Sequence, residues 1–396
     1  MEREECYAAW LSSVPGIGNR TVERLYHEFA SFEAIYRAQE GALAKWLPPK
    51  RLESFLQSRK TDSPGQIAEH IQKRGVRFYT KNSISYPKRL AEIPDAPWFL
   101  YSIGTLPRDD LPSVAVIGAR DCSAYGEIVA TQLGRVLGQC GIQVISGMAR
   151  GVDCTAQRAA VAVGGASFAV LGSGVDICYP PQSRDLYDRL PQKGGVISAY
   201  PLQTVARAQN FPPRNRIVSG LADAIVVVEA RERSGTLITV DMALEQGRDV
   251  YVVPGRITER LSDGCNRLLS QGASIVLSPE DFAERIWEQF GRTGLGAERT
   301  ARKGGFADAA ETVRTKSVTE EKPLGEGKLS REDERIYQAL DVTPLSVEEV
   351  AGRIGGEEHL LEIHMRLVDL CSCGYVKQVS QGYFCRGEKL RDSFLA

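Results

Sequence analysis

Six short runs decide what this chain can become. SVAVIGA, IQVISG, SFAVLGSG, GGVISAY, AIVVVEA and DVYVVPG follow one another through its middle. Each is apolar throughout, and most run into Gly or Ser. A strand with one wet face alternates apolar and polar residues, whereas a parallel strand covered on both faces reads as a continuous apolar run. Helical stretches such as SAYGEIVATQLGRVLGQC lie between the runs. The pattern specifies an α/β fold with a doubly wound, mainly parallel sheet over residues 76–288.

The flanks have a different character. Residues 1–75 place apolar positions at helical spacing, as in TVERLYHEFASFEAIY, and read as a helical domain. Within it, VPGIGNRTVERLY sets Gly16 and Gly18 before a helix, as a helix–hairpin–helix element does. Such a loop offers backbone N–H groups to a phosphate or makes a tight turn between packed helices, and both readings stand. Residues 289–329, rich in Gly, Ala, Thr and charge, read as a flexible linker. Residues 330–396 give three helical stretches and then the hairpin-like YVKQVSQGYFCRG, the order of a winged helix.

A chain of 396 residues accommodates this multidomain plan. Its net charge of −1 excludes a polyanion binder acting through bulk charge, but not one with a local patch. No apolar run approaches the about 20 residues of a membrane span. MEREECYAAW is not a signal peptide, and nine scattered cysteines suit a reducing cytoplasm.

In an open α/β sheet, ligands bind beyond the carboxyl ends of the strands. Those loops contain Gly118-Ala119-Arg120, the stretch Gly147 to Asp153, SGVDICYP, the long segment holding NFPPRNR, RERSGTLIT and an Arg256 loop. Glycine lets backbone approach a ligand, and a following helix N-terminus favours an anion. Between Asp188 and Asp223 stand five basic residues (Arg189, Lys193, Arg207, Arg214, Arg216) and no acidic one. Pro212 and Pro213 are expected to hold an extended backbone, so that Phe211 meets a base while Arg214 and Arg216 meet phosphates.

Other phosphate ligands leave no fingerprint. VIGARDCSAYG lacks the G-x-G-x-x-G spacing of a dinucleotide site, LGSGVDI keeps only its first two glycines, and no P-loop occurs. His27, His70, His359 and His364 all lie outside the α/β region, which excludes a histidine-based triad in the sheet. Cys371, Cys373 and Cys385 with His359 and His364 fit zinc spacing poorly. No catalytic residue, cofactor or metal is therefore expected. Arginines, backbone donors and a projecting aromatic suit single strands, whose bases are free to stack.

SGMARGVD, VLGSGVDICYP, NFPPRNRIVSGL, VVEARERSGTLIT and ALEQGRDVYVVPG, in that order, resemble the DprA (Smf) family of DNA-processing proteins. The resemblance covers residues 76–288, and the flanks are similar to that family's SAM-like and winged-helix domains. It implies an extended Rossmann fold that forms a homodimer in the cytoplasm and binds single-stranded DNA. It further implies protection of incoming DNA in natural transformation and loading of the recombinase RecA. By motif, the family's G-S-R loop falls on Gly118, Ala119 and Arg120. Its S-G-x-A-R-G-x-D loop falls on Ser146 to Asp153, implicating Ser146, Gly147, Arg150 and Gly151. Its F-P-x-R-N-R segment falls on Phe211, Pro212, Arg214, Asn215 and Arg216, preceded by the basic Arg207. Its S-G-T loop falls on Ser234, Gly235 and Thr236. Two departures stand out: Ala119 replaces the usual Ser, and Gln157 occupies the place of a usual His.

Two rivals weigh less. Nucleoside-monophosphate phosphoribohydrolases of the lysine-decarboxylase-like family share the sheet type, but Thr239 stands where their motif carries Glu, and Asp241 comes two residues late. A winged helix acting as the main DNA reader would use EEHLLEIHMRLVDL. Its acidic start and apolar centre suit packing better than a major groove.

Overall fold

The computed structural model describes residues 1–291, 330–341, 344–355, 359–380 and 382–386. The linker expected over 289–329 lies outside the described residues from 292 onward, and residues 289 and 290 close the helix Pro279–Phe290. The chain divides into two compact units, Met1–Cys122 with Val129–Gly305 and Ser123–Ile128 with Phe306–Ala396.

The larger unit is organised by a nine-stranded sheet. Its strands are β1 (Arg77–Thr80), β2 (Phe99–Gly104), β3 (Ser113–Ile117), β4 (Gln143–Ser146), β5 (Ser167–Val170), β6 (Gly195–Ser198), β7 (Ala224–Val227), β8 (Asp249–Val252) and β9 (Ser274–Ile275). Their spatial order is β1-β2-β6-β5-β4-β3-β7-β8-β9. The six apolar runs become β3 to β8, all mutually parallel. Every residue of β3 to β7 is buried, as their unbroken apolar character requires. The pattern did not announce the antiparallel β1 and β2 at one edge or the two-residue β9 at the other.

Strands β3 to β6 step outward in one direction, and the chain then returns to set β7 against the other side of β3. This reversal leaves a crevice beyond the carboxyl ends of β3 and β7, because their following loops depart in opposite directions. The amino ends of the same strands are closed by a buried ion pair. Arg89 Nε donates to Asp223 at 2.8 Å, and its other nitrogens reach the carbonyls of Arg108 and Leu111.

The N-terminal helices do not stand apart from the sheet. Trp10 meets Phe55 edge-on at 4.9 Å, and Phe32 packs on Phe99 of β2 at 5.6 Å. One apolar cluster thus runs from Trp10 through Phe32 to Phe78 and Tyr101. Such burial contributes about 25 cal/mol per Å² of apolar surface, so this shared core holds the helices firmly to the β1–β2 edge.

In the smaller unit the described helices are Arg331–Ala339, Val347–Ile354 and Leu360–Ser372. A three-stranded antiparallel sheet follows the order β10 (Leu345–Ser346), β12 (Tyr383–Arg386), β11 (Val376–Ser380). Ile336, Val350, Leu367 and Phe384 form its core. Ser346 and Glu349 make a reciprocal capping box at the second helix, satisfying two first-turn amides.

Candidate nucleic-acid interface

The expected extended backbone at Pro212 and Pro213 is not found. Both prolines lie in the first turn of the helix Phe211–Gly220. First-turn amides have no intrahelical acceptor, and proline's fixed φ suits that position, so two prolines start this helix without losing a hydrogen bond. Phe211 is the first helical residue. Its half-buried ring lies over Gly172, where an added Cβ would come within 3.2 Å of Phe211 Cδ1. The ring of Tyr179, 44% exposed, stands 5.8 Å away at a tilt of 37°. Two guanidinium groups approach the same ring, Arg120 at 5.5 Å and Arg214 at 5.4 Å from its centroid.

These two arginines have opposite situations. Arg120 is exposed at the end of β3. Arg214, expected to face a ligand, is only 5% exposed. Its Nη1 donates to the carbonyls of Gly147 and Val170, and its Nε donates to Asn215 Oδ1 at 3.0 Å. Burial pushes the Arg214 guanidinium down to about 10, with nearby Asp153 opposing the shift, so it stays charged at neutral pH. Burial likewise pushes the Asp153 carboxyl up, against the pull of Arg214. Asp153 Oδ2 accepts from the Gly147 amide at 3.0 Å. A guanidinium can be buried where carbonyls and a carboxylate replace its water; here the carbonyls lie at the ends of β4 and β5 and the carboxylate is Asp153 of the helix Val152–Ala162.

The same inner layer absorbs two more expected contacts. Ser146 is fully buried, and its hydroxyl donates to the Val116 carbonyl at 2.7 Å. Gly147 is buried with its amide spent on Asp153, and a Cβ there would strike Arg214 Nη1 at 2.5 Å. Gln157 is fully buried too. It accepts from the Met148 amide at 3.1 Å and donates to the Phe168 carbonyl at 3.0 Å. Its departure from the family pattern therefore lies in the scaffold, away from solvent.

The outer layer holds the rest. Gly151 has φ +81°, and a Cβ there would lie 2.3 Å from the Ala119 carbonyl, so only glycine lets the two loops touch. Thr236 Oγ1 donates to the Gly118 carbonyl at 3.3 Å, joining the walls that follow β7 and β3. Ser234, just before the helix Gly235–Glu245, has a buried Oγ without a partner among the described residues. Arg150 is exposed and paired with Asp121, and Arg207 is exposed.

Asn215 is spent within the protein, accepting from Arg214 Nε and donating to Thr239 Oγ1 at 2.9 Å. Arg216 points elsewhere, to the Pro94 carbonyl and to Glu245 at 3.1 Å. The structure thus gathers Gly118, Ala119, Arg120, Gly151, Phe211, Ser234 and Thr236, and separates Arg216 from them. It adds Tyr179, which sequence analysis passed over although it sits in the loop SGVDICYP after β5.

The sequence model of the DNA recombination-mediator protein A family matches residues 77–287. Protein Smf of Synechocystis is 34% identical over 281 residues, covering 69% of this chain and 71% of that protein. The DNA processing protein DprA of Streptococcus pneumoniae is 39% identical over 214 residues, covering 54% of this chain and 76% of that protein. The X-ray structure of the pneumococcal DprA superposes with a TM-score of 0.62 at 32% identity, over 70% of this chain and 96% of that one.

Proposed function

Because this chain belongs to the DNA recombination-mediator protein A family, we propose that it binds single-stranded DNA in the crevice beyond β3 and β7, protects the strand, and assists loading of the recombinase RecA during natural transformation. One observation carries the reading: a half-buried Phe211 ring with exposed Arg120 and Tyr179 beside it, at the open end of the sheet. A base stacked there gains about 1–3 kcal/mol, and Arg120 stands where the adjoining phosphate passes. Ser234 adds a buried hydroxyl without a partner among the described residues, which a phosphate oxygen reaching it would satisfy.

The finer assignments follow the same reading. The N-terminal helices serve as a SAM-like domain and the C-terminal unit as a winged helix. A second copy of the chain docks at the β9 edge, where Ile275 on the strand is 39% exposed and Leu277, two residues beyond it, is 68% exposed. No described helix is long and apolar enough to cross a membrane, and the protein acts in the cytoplasm. It catalyses no reaction. The phosphoribohydrolase alternative needs a carboxylate where Thr239 is buried against Asn215.

Mobility shifts with single- and double-stranded oligonucleotides of equal length test this directly. Single strands should bind more tightly, and Arg120→Ala should weaken them and flatten the salt slope by about 0.7 for the lost phosphate contact. Equal or tighter binding of duplex would overturn the proposal.

A further inference from the structure

We infer that the strand seated at Phe211 continues over Pro212 and Pro213 into a second cleft, where Arg20, Arg24, Arg51 and Arg216 hold its phosphates. The inference rests on the single-strand reading above. The cleft encloses about 870 Å³ between the N-terminal helices and the sheet, wholly within the larger unit. That volume lies in the range of about 300–1,000 Å³ that encloses small ligands.

Its walls are unusually basic for a near-neutral chain. Arg20 and Arg24 come from the helix Asn19–Phe29, Arg51 from the helix Pro49–Thr61, and Arg216 from the helix Phe211–Gly220. Asp95 is the single carboxylate among the lining residues. It is paired with Arg20 at 2.9 Å, and Arg216 is paired with Glu245 at 3.1 Å. Among the described residues Arg51 hydrogen-bonds only to a hydroxyl, Thr21 Oγ1 at 3.2 Å, and Arg24 is exposed with no ion pair. Two guanidinium groups therefore have no carboxylate partner among the described residues, while Ile17 and Met242 add apolar surface to the same walls. Charged walls that also carry apolar surface match a phosphodiester chain with unstacked bases.

Continuity with the Phe211 site comes from one helical turn. Phe211 faces Gly172 on one side of it, and Pro212 and Pro213 line the cleft on the other. The prolines remove two amides at the ridge, so a strand crossing it meets ring surface, with phosphate donors before and after. This also gives Arg216 a place in the path despite its separation from Arg120. Asn19 has no part in it: its side chain is spent on Asp95, Ala96 and the Trp98 amide.

The test uses the full chain carrying Arg24→Ala with Arg51→Ala, titrated with labelled oligothymidylates of about 5 and about 16 nucleotides, which bracket known single-strand site sizes. The short strand should bind as to wild type. The long strand should lose about tenfold, with the salt slope reduced by about 1.4 for two contacts. Wild-type affinity and slope at both lengths would overturn the inference and make the cleft a seam between packed elements. Loss confined to duplex DNA would overturn it as well, assigning the cleft to a double helix. Arg120→Ala in parallel separates the two claims: if it leaves the short strand unaffected, the Phe211 site itself is misassigned and the inference falls with it.

Discussion

The two ends of the parallel sheet each bury one arginine, and they use it differently. At the amino end Arg89 is 6% exposed, paired with Asp223 and capped by loop carbonyls. At the carboxyl end Arg214 is 5% exposed, bound to the carbonyls of Gly147 and Val170 near Asp153. Both neutralise polar groups that strand ends would otherwise leave unpaired. Only Arg214 also stands under an aromatic ring that reaches solvent, with Arg120 on the same ring. One end of the sheet is a closure. The other is a closure that also carries the proposed binding surface.

The largest expected effect would break that symmetry. Arg89→Ala and Arg214→Ala should each cost about 3–5 kcal/mol of stability, since removing one partner strands a buried charge. Denaturant titration measures this. Per folded molecule, Arg89→Ala should keep wild-type affinity for single-stranded DNA, while Arg214→Ala should lose affinity because the Phe211 ring has lost its support. Equal affinities would reduce the carboxyl end to a second closure.

Phe211→Ala comes next. It should lose about 1–3 kcal/mol of binding, whereas Phe211→Trp should keep most of it. A melt run alongside the DNA titration checks the comparison, because a large drop in melting temperature with unchanged affinity would place the ring in the core.

The smallest effect belongs to a pair on the outside of the sheet. Arg158 bonds both oxygens of Asp185 at 2.9 and 2.8 Å and, chiefly through those bonds, holds its carboxyl down at about 2. A lowered carboxylate stabilises the fold above its ordinary value, and that contribution disappears as pH falls through about 2. With side chains 40% and 55% exposed, solvent screening limits it to about 0–1 kcal/mol. Asp185→Asn should therefore flatten acid unfolding below pH 4 only slightly, and a change as large as that of Arg214→Ala would contradict the contrast between inner and outer layers.

How much of this could be read beforehand follows from burial. Strands β3 to β8 were legible because double coverage makes each one apolar without interruption. β9 has two residues, too short for any period to register, and the edge strand β1, RFYT, is only partly covered and so never reads as an apolar run; both gain their place from a neighbour. At the site, Arg120 and Phe211 were legible as residue types that a strand-end loop can expose. Arg214, Ser146 and Gly147 were read as contacts for the same reason, and the structure buries them. Their partners are the Val170 and Val116 carbonyls and Asp153, which come close only after folding. Pro212 and Pro213 were legible as constraints on φ, but that φ serves an extended segment and a helical first turn alike.

The hydrogen bond from Thr236 to Gly118 spans 118 residues of chain. Closing so long a loop costs entropy that no local contact repays, which is the topology that slows folding. Strands β3 to β6 can assemble with their helices while β7 is still absent, and in that state the β3 loop faces open water. Half of the crevice has no wall until the later segment docks. The β7 wall of the crevice therefore comes late in the chain, and a chain interrupted before residue 224 would keep Arg120, Tyr179 and Phe211 but lack Ser234 and Thr236 on the opposite wall.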